Sequence, residues 1–404
     1  MGMSPEPTDV SRRKLLQATG TGVGVAAASG VASAQEQGTV EVNVGFDGAS
    51  GRRAAEKAAS SVVRRFESID AITLELPEQA VENLENNPNV RYVEENGTMQ
   101  ALAETTPWGV DRVDADVATS NGDTGSGADV AIIDTGIDSD HPDAEHALGT
   151  GKAFVNCGSG GFFGCVFSGN SNSCNENWDD DNDHGTHCAG IAAGVDDTDG
   201  VVGVGPDVTL HAVKVLDCSG GGSYSDIAAG IEWTANQGYD VGSMSLGGDA
   251  SSTVKDAVEY AANNGVTLVA AAGNDGACTD CVGYPAAYPE VIAVSSTNCS
   301  DDLSSFSSQG PEVEIAAPGT DVYSTVPSGY ATLSGTSMAC PHVAGAAGVL
   351  AAQGNSRSQI RSALKNNAES IGLSSNESGA GLLDVAAALG HGSGDDGYGD
   401  GPNC

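Results

Sequence analysis

The chain has 404 residues, more than one hydrophobic core usually holds. Acidic residues outnumber basic ones by 55 to 16, and the net charge of -39 argues against nucleic acid or an anionic membrane surface as a partner. A surface this acidic repels itself in dilute salt, whereas about 1 M salt shortens the Debye length to about 3 Å. We therefore expect a halophilic protein, with an acidic secreted protein of ordinary habitat as the alternative.

Residues 1–34 have the pattern of a twin-arginine export signal. Arg12 and Arg13 precede an apolar stretch rich in Gly, Ala and Val, and residues 32–34 read Ala-Ser-Ala, a small-residue cleavage site. The apolar stretch is too short and too rich in glycine for a membrane anchor. We expect the mature chain to be extracellular and free of the membrane.

Residues 35–102 form a segment of different composition, with no cysteine and six of the sixteen basic residues. Hydrophobic periodicity predicts alternating strands and helices here, in the order strand 40–44, helix 54–66, strand 71–76, helix 78–86 and strand 90–95. This pattern fits a small α+β, ferredoxin-like β-α-β-β-α-β unit.

Residues 103–390 alternate between strand and helix patterns. The predicted strands are 128–134, 209–216, 240–246, 266–272 and 290–295, and the predicted helices include 185–193, 225–236 and 253–264. Such alternation predicts an α/β fold of three layers, with a mainly parallel sheet that binds ligands beyond the carboxyl ends of its strands. Residues 391–404 are rich in Gly and Asp and are predicted to be a disordered tail or linker stub.

Three motifs carry the chemistry, and they are Ile-Ile-Asp-Thr-Gly at 132–136, His-Gly-Thr-His at 184–187 and Gly-Thr-Ser-Met-Ala at 335–339. A serine hydroxyl needs a base to take its proton and an acid to hold that base. We assign Asp134, His184 and Ser337 as acid, base and nucleophile. Alone, Asp134 could simply end a strand and Ser337 could cap a helix, but the conjunction argues against both alternatives.

The order Asp, His, Ser is that of subtilisin and differs from the orders in chymotrypsin-like proteases and α/β-hydrolases. The chain therefore resembles a subtilisin-like serine protease, or subtilase, and its halolysin-like, proteinase K-related branch fits best because Cys188 follows His187. A metal site at His184 and His187 is the alternative, but the zinc signature of two histidines four residues apart around a glutamate is absent. The resemblance implies that His187 is structural.

The resemblance also implies an oxyanion donor and two substrate-binding edges. Residues 271–274 read Ala-Ala-Gly-Asn, which matches the turn whose asparagine stabilises the developing oxyanion, here Asn274. Residues 219–222 and 245–248 match the edges that pair with an extended substrate. The implied substrate-binding residues are Gly220, Gly222, Ser245, Leu246, Gly247 and Gly273.

In such a protease residues 35–102 would be the propeptide, which helps folding and inhibits the enzyme until it is removed. The matching junction places self-cleavage between Leu102 and Ala103, and residues 103–390 would be the catalytic domain. A leucine at the processing site favours large apolar residues before the cut in other substrates. A maturation protease that cleaves after Lys or Arg is the alternative.

Calcium is the ion that the resemblance implies, and no organic cofactor is expected. The matching ligands are the side chains of Asp143 and Asp197, Glu104 at the N-terminal position, and the carbonyls of Val195, Asp199 and Val201. The acidic run at 179–183 is a second possible site, but in so acidic a chain a solvated run is the favoured interpretation.

All ten cysteines follow residue 150, and export permits disulfides. We expect one bridge among Cys157, Cys165 and Cys174 and another among Cys278, Cys281 and Cys299. Cys188 and Cys340 lie in the His and Ser motifs and are expected to be free, packed thiols.

Together these features predict a secreted, monomeric serine endopeptidase that forms an acyl-enzyme on polypeptide substrates and has its own propeptide as inhibitor. A catalytically dead binding module would require a damaged motif, and each motif is intact. With an ordinary histidine pKa, activity would fall as the pH drops below about 6 to 7.

Overall fold

The computed structural model describes residues 39–96, 98–101, 107–145, 147–158, 174–196, 200–276, 278–327 and 329–392. The chain divides into two compact units, with the boundary after Asn96. The export signal predicted on 1–34, the processing site at Leu102 and Ala103, and tail residues 393–404 lie outside the described residues.

The N-terminal unit is a four-stranded antiparallel sheet in the order β2-β3-β1-β4 with two helices. Its elements are β1 (Thr39–Phe46), α1 (Gly48–Ala58), β2 (Ser61–Arg65), β3 (Ala71–Pro77), α2 (Glu78–Glu85) and β4 (Val90–Glu95). The β-α-β-β-α-β order matches the prediction. Val44 pairs with Ile72 on one side and Val93 on the other, and these residues belong to the core of the unit.

One prediction in this unit is wrong, since the helix expected at 54–66 ends at Ala58. Ala59 is already extended, and β2 follows, with Ser61 opposite Glu75 and Val62 opposite Leu74. The adjacent β-branched valines Val62 and Val63 favour a strand. Pairing with β3 therefore prevails over the helical periodicity.

The second unit holds a seven-stranded sheet in the order β14-β13-β12-β10-β6-β8-β7, in which every pair of neighbours is parallel. The strands of this unit are β5 (Thr98–Ala101), β6 (Asp129–Asp134), β7 (Lys152–Ala153), β8 (Thr209–Lys214), β9 (Gly221–Ser223), β10 (Val241–Met244), β11 (Leu246–Gly247), β12 (Thr267–Ala271), β13 (Val291–Thr297), β14 (Val313–Pro318), β15 (Val322–Val326) and β16 (Gly329–Leu333). The five predicted strands are β6, β8, β10, β12 and β13, while β7 and β14 at the two edges were not predicted.

The helices of this unit include the predicted ones with shifts of about one residue at their ends. They are α3 (Gly109–Arg112), α4 (Ala115–Ser120), α5 (Pro142–Glu145), α6 (His184–Ala193), α7 (Tyr224–Gln237), α8 (Ser252–Asn263), α9 (Thr336–Ala352), α10 (Arg357–Asn366), α11 (Ser375–Ser378) and α12 (Val385–Ala388). In the described residues no helix has the length and apolar character needed to cross a membrane.

Helices cover both faces of the sheet, as β6 illustrates. Its successive side chains point to opposite faces. Val130 lies against Gly348 of α9, whereas Ile133 lies against Gly230 of α7. The sheet is thus the middle of three layers, and Asp134, the last residue of β6, lies at its carboxyl edge.

Two disulfides are described, Cys157 with Cys174 and Cys278 with Cys281, so each cysteine cluster contains a bridge as predicted. Cys218 and Cys299 are also disulfide-bonded. Cys188 and Cys340 are free and buried, which confirms their prediction. His391, the first residue of the predicted tail, lies 2.6 Å from the Asp123 carboxylate.

Candidate active site

The predicted acid and base meet in the interior of the second unit. Asp134 ends β6, His184 begins α6, and the imidazole Nδ1 lies 2.8 Å from a carboxylate oxygen of Asp134. Both side chains are buried. The loops that carry them touch at Gly185, where a Cβ would overlap the carbonyl oxygen of Gly136. Glycine is therefore needed at 185 for the acid and base to meet.

The first three residues of the acidic run, 179–181, are buried and the other two are half-buried, so the favoured interpretation of a solvated run is wrong. Asp179 accepts from the backbone N–H groups of Ser139 at 3.1 Å and Glu176 at 2.8 Å. The residues Asp179, Asp180 and Asp181 are each exposed by 5 % at most. Each takes hydrogen bonds from protein donors, which offsets the cost of burying a charge.

Asp180 connects the loop that follows Asp134 with the helix that begins at His184. One oxygen accepts from the Thr135 hydroxyl at 2.8 Å, and the other accepts from the N–H and hydroxyl of Thr186 at 2.9 and 2.7 Å. The Thr135 hydroxyl in turn accepts from the N–H of Gly185 at 2.8 Å. These bonds connect the residues next to Asp134 with those next to His184.

Lys214 is a second connection that sequence reasoning missed. Its side chain is fully buried, and Nζ donates to Asp181 at 2.6 Å and to the carbonyls of Thr135 and Leu216 at 2.5 and 3.0 Å. A lysine among the apolar residues of β8, in a chain with few cations, was the available signal. The bond to Thr135 holds the carbonyl of the residue that follows Asp134.

The pKa values of the three buried histidines of this region are shifted in different directions by their surroundings. Burial disfavours the charged imidazole of His184, but the charge of Asp134 and the hydrogen bond to it prevail and raise the pKa well above its ordinary value. Burial lowers the pKa of His187 to about 3 and that of His342 to about 4. His184 is thus the one of the three whose surroundings favour the charged imidazole.

His187 is placed as a core residue. It is fully buried, and its Nε2 lies 3.3 Å from the carbonyl oxygen of Ala331 in β16. In the part of the chain that the structure describes, the potential metal-ligand group is Asp134, His184 and Cys188, which is the acid-base pair with a neighbouring thiol. This arrangement supports the structural interpretation of His187.

Ser337 lies beside this pair near the start of α9. The Cys188 sulfur is 4.0 Å from Nδ1 of His184 and 3.5 Å from the carbonyl oxygen of Ser337. The Ser337 hydroxyl donates to the carbonyl of Ser245 at 3.3 Å. The structure therefore brings the predicted acid, base and nucleophile into one site.

Asn274 and Gly273 follow β12 and flank the first turn of α9. The Asn274 side-chain oxygen accepts from both the N–H and the hydroxyl of Thr336, each at 3.0 Å. The N–H of Gly273 donates to the same hydroxyl at 3.1 Å. Because the amide oxygen is engaged by Thr336, Nδ2 is the donor that this side chain can direct toward an oxyanion near Ser337.

The two predicted edges enclose an extended segment of the chain itself. β5 lies between β11 and β9 in a three-stranded antiparallel sheet. Its register places Ala101 opposite Leu246, Gln100 opposite Gly247, and Met99 opposite Gly222. The slot between β9 and β11 thus has the width and hydrogen-bonding groups for one strand of polypeptide.

The other predicted edge residues lie at the ends of these strands. Ser245 immediately precedes β11. Gly220 has φ of +78° and donates to the carbonyl of Asp217 at 2.9 Å, so it forms the turn before β9. Gly220 therefore shapes the edge and does not belong to its paired part.

A cavity of about 680 Å³ adjoins Asn274 and the β11 edge. Glycines form part of its wall, and Tyr224, Val282 and Tyr284 supply apolar surface. Two exposed carboxylates, Asp249 and Asp275, also line it. The cavity is large enough for a bulky side chain and offers both apolar and acidic contacts.

Three of the six predicted calcium ligands are described, and they lie together. Asp143 accepts from the N–H of Val201 through its carboxylate at 2.8 Å and from the N–H of Val195 through its carbonyl at 3.2 Å. A Cβ at Gly200, where φ is +112°, would overlap this carboxylate. The hydrogen bonds that Asp143 accepts here come from backbone N–H groups, and a calcium ion would need its carboxylate and the carbonyls of Val195 and Val201 as oxygen ligands. Glu104, Asp197 and Asp199 lie outside the described residues.

Comparison with known proteins agrees with this geometry. Residues 125–392 match the subtilase family, and residues 27–96 match the fervidolysin N-terminal prodomain family. The chain is 39% identical to an alkaline protease of Alkalihalobacillus alcalophilus over 395 residues, covering 93% of this chain and 98% of the relative. It is 41% identical to subtilisin E of Bacillus subtilis (strain 168) over 333 residues, covering 81% and 82%.

A third relative, alkaline elastase YaB of Bacillus sp. (strain YaB), is 38% identical over 394 residues, covering 93% of this chain and 98% of the relative. Membership of the halolysin-like branch stays a prediction. The matched family, the parallel sheet and the site at its carboxyl edge lead to one conclusion: this chain belongs to the subtilase family and is a serine endopeptidase with an N-terminal prodomain.

Proposed function

We propose that the chain is a secreted, halophilic endopeptidase in which Ser337 attacks the peptide carbonyl. The observation that carries the proposal is the hydrogen bond from His184 to Asp134 beside Ser337, next to a slot that already holds an extended strand. In a serine protease these groups have defined roles, with Asp134 orienting the imidazole and stabilising its charged form.

In the first step, Ser337 Oγ bonds to the substrate carbonyl carbon while His184 takes the hydroxyl proton. The backbone N–H of Ser337 and Nδ2 of Asn274 stabilise the negative charge that develops on the carbonyl oxygen. The carbon–nitrogen bond then breaks, and His184 passes the proton to the leaving amine. Water attacks the acyl-enzyme with His184 again as base, which releases the acid and restores Ser337.

We propose that residues 35–102 are the inhibitory propeptide and residues 103–390 the catalytic domain. β5 ends at Ala101, one residue before the proposed cut after Leu102, and its backbone occupies the slot. A segment that pairs with both edges blocks other polypeptides from pairing there. The catalytic unit is proposed to act as a monomer.

Substrate preference follows from the cavity beside Asn274. Its glycine-rich wall, with Tyr224, Val282 and Tyr284, suits a large apolar side chain before the cut. Asp249 and Asp275 favour the second candidate, cleavage after Lys or Arg. Both carboxylates are exposed, so molar salt would screen their attraction for a cation. We therefore propose the apolar preference at the working salt concentration.

Export by the twin-arginine route and halophily rest on the sequence of residues 1–34 and on the surplus of acidic residues. Several cations of the described catalytic unit are already paired with carboxylates. Arg112 bonds to Asp301 and Glu369, and Arg361 and Lys365 both bond to Glu314. Most of the surplus carboxylates therefore have no cationic side chain left to pair with, and the repulsion between them must be screened by salt.

One digestion experiment tests these proposals together. Purified wild type and Ser337→Ala are incubated with denatured casein in molar and in 0.1 M NaCl, and the fragments and mature N-terminus are sequenced. We expect cleavage mainly after large apolar residues, a mature N-terminus at or near Ala103, and loss of activity in low salt. Cleavage mainly after Lys and Arg establishes the second candidate, and equal activity in both salts excludes halophily.

We further propose that Asp143, Val195 and Val201, with Glu104, Asp197 and Asp199, hold a structural calcium ion. Bound calcium would neutralise the carboxylates and stabilise the folded state by mass action. Thermal unfolding is measured on Ser337→Ala, which avoids self-digestion. We expect Tm to fall when EGTA is added and to rise with the logarithm of free calcium. Asp143→Asn should weaken this dependence, and a Tm indifferent to calcium in the parent would refute the site.

A further inference from the structure

Helix α9 contains a proline close to the nucleophile. Pro341 lies four residues after Ser337 and has no backbone N–H. In an α-helix the carbonyl of each residue accepts from the N–H four residues later. The carbonyl of Ser337 therefore lacks the donor that regular helical geometry would provide.

Ser245 supplies a donor in its place. Its hydroxyl donates to the Ser337 carbonyl at 2.7 Å, and the thiol of Cys188 approaches the same oxygen at 3.5 Å. The hydroxyl bond is short, whereas a thiol is a weak donor. In the reverse direction the Ser337 hydroxyl donates to the Ser245 carbonyl at 3.3 Å. The two residues are thus joined by two bonds across 92 positions of sequence.

The location of Ser245 gives these bonds a consequence for catalysis. Ser245 is buried and lies between β10 of the central sheet and β11 of the substrate slot. A helix without Pro341 would hold the Ser337 carbonyl through its own backbone. Here the carbonyl is instead held by the residue that begins the substrate edge.

We propose that the Ser245 side chain positions the nucleophile by replacing the N–H that Pro341 lacks. This inference rests on the proposed role of Ser337. The bond fixes the peptide plane of Ser337 relative to the β11 edge, and so it fixes the direction from which the hydroxyl meets a carbonyl bound there. A buried carbonyl without a donor is costly, and small displacements of a nucleophile lower the rate strongly.

The first test is Ser245→Ala, with Ser243→Ala as matched control. Ser243 lies two residues earlier, is equally buried, and its hydroxyl faces the Cys340 thiol at 3.6 Å. We expect Ser245→Ala to lower kcat by about 10- to 100-fold with KM changed by no more than about twofold. Ser243→Ala should lower kcat by less than about threefold. Active-site titration corrects each rate for the folded fraction.

The second test is a double-mutant cycle with Pro341→Ala, which restores an N–H at position 341. In that background the helix can satisfy the Ser337 carbonyl, so Ser245→Ala should lower kcat by less than about threefold. A merely structural role of Ser245 predicts the same loss in both backgrounds, and that result would overturn the proposal.

If Pro341→Ala does not fold, Ser245→Thr tests the role of the hydroxyl, because threonine keeps this group. We expect its kcat to lie within about fivefold of wild type, and a threonine variant as slow as Ser245→Ala contradicts the proposal. Failure of the proposed function looks different. In that case Ser337→Ala would itself retain activity, whatever happens at position 245.

Discussion

Ser337→Ala should lower kcat by about 10⁶-fold, the loss that follows removal of the nucleophile in subtilisin. In the proposed mechanism the Ser337 hydroxyl forms the acyl-enzyme. Ser337 lies near the start of the helix flanked by Asn274, and its carbonyl contacts Cys188, whose sulfur lies 4.0 Å from Nδ1 of His184. The measurement is kcat on a chromogenic peptide in molar salt, with enzyme concentration fixed by absorbance.

The same variant should accumulate as the unprocessed chain, because the proposed cut after Leu102 uses the same site. Mass spectrometry of the purified protein measures directly whether the chain has been cleaved. The matched control is Ser243→Ala, a buried serine in β10 that should mature normally. A Ser337→Ala protein that matures by itself, or hydrolyses peptide at more than about a thousandth of the wild-type rate, would show that another group is the nucleophile.

Asp134→Asn should lower kcat by about 10⁴-fold and move the acid side of the pH profile to lower pH. His184 must be neutral to act as base, so activity is lost as the pH falls through its pKa. Asp134 raises that pKa well above the ordinary value of about 6.5, so wild-type activity should fall at a higher pH than an ordinary histidine would give. An ordinary histidine pKa would instead place that loss below about 6 to 7.

In the asparagine variant the raising charge is gone, and burial then lowers the pKa of His184. The profile of kcat/KM against pH, measured on both proteins, checks the direction of the shift. His187 and His342 have pKa values of about 3 and 4, so they stay neutral over the range. An acid limb at the same pH in both proteins would mean that Asp134 does not control the base.

The parts of this molecule that could be predicted are those encoded in short runs of sequence. Asp134, His184 and Ser337 each lie in a motif of several residues whose local structure follows from the same residues. The parallel sheet was predictable because its strands are apolar and separated by helices. The edge strands β7 and β14 were not, since β7 has only two residues and neither forms part of the alternating pattern.

The parts that could not be predicted depend on partners that are distant in sequence. Charge alone suggested that residues 179–183 are solvated, but Asp180 is paired with Thr135 and Asp181 with Lys214, 45 and 33 positions away. The role of Ser245 is similar, because its partner Ser337 lies 92 positions away. Composition gives the number of charges, whereas only the fold determines which of them are buried.

The burial of Lys214 has a consequence for how the enzyme responds to dilution of its medium. Dissolved ions cannot reach a side chain with no exposed surface, so the bond from Lys214 to Asp181 is insulated from the ionic atmosphere that shields the exterior. Under the proposed halophily, low salt should therefore destabilise the exposed acidic surface first, while the carbonyl of Thr135, next to Asp134, keeps its bond to Lys214. The inactivation that we propose for low salt should accordingly begin reversibly, with Asp134 and His184 still hydrogen-bonded when salt is restored.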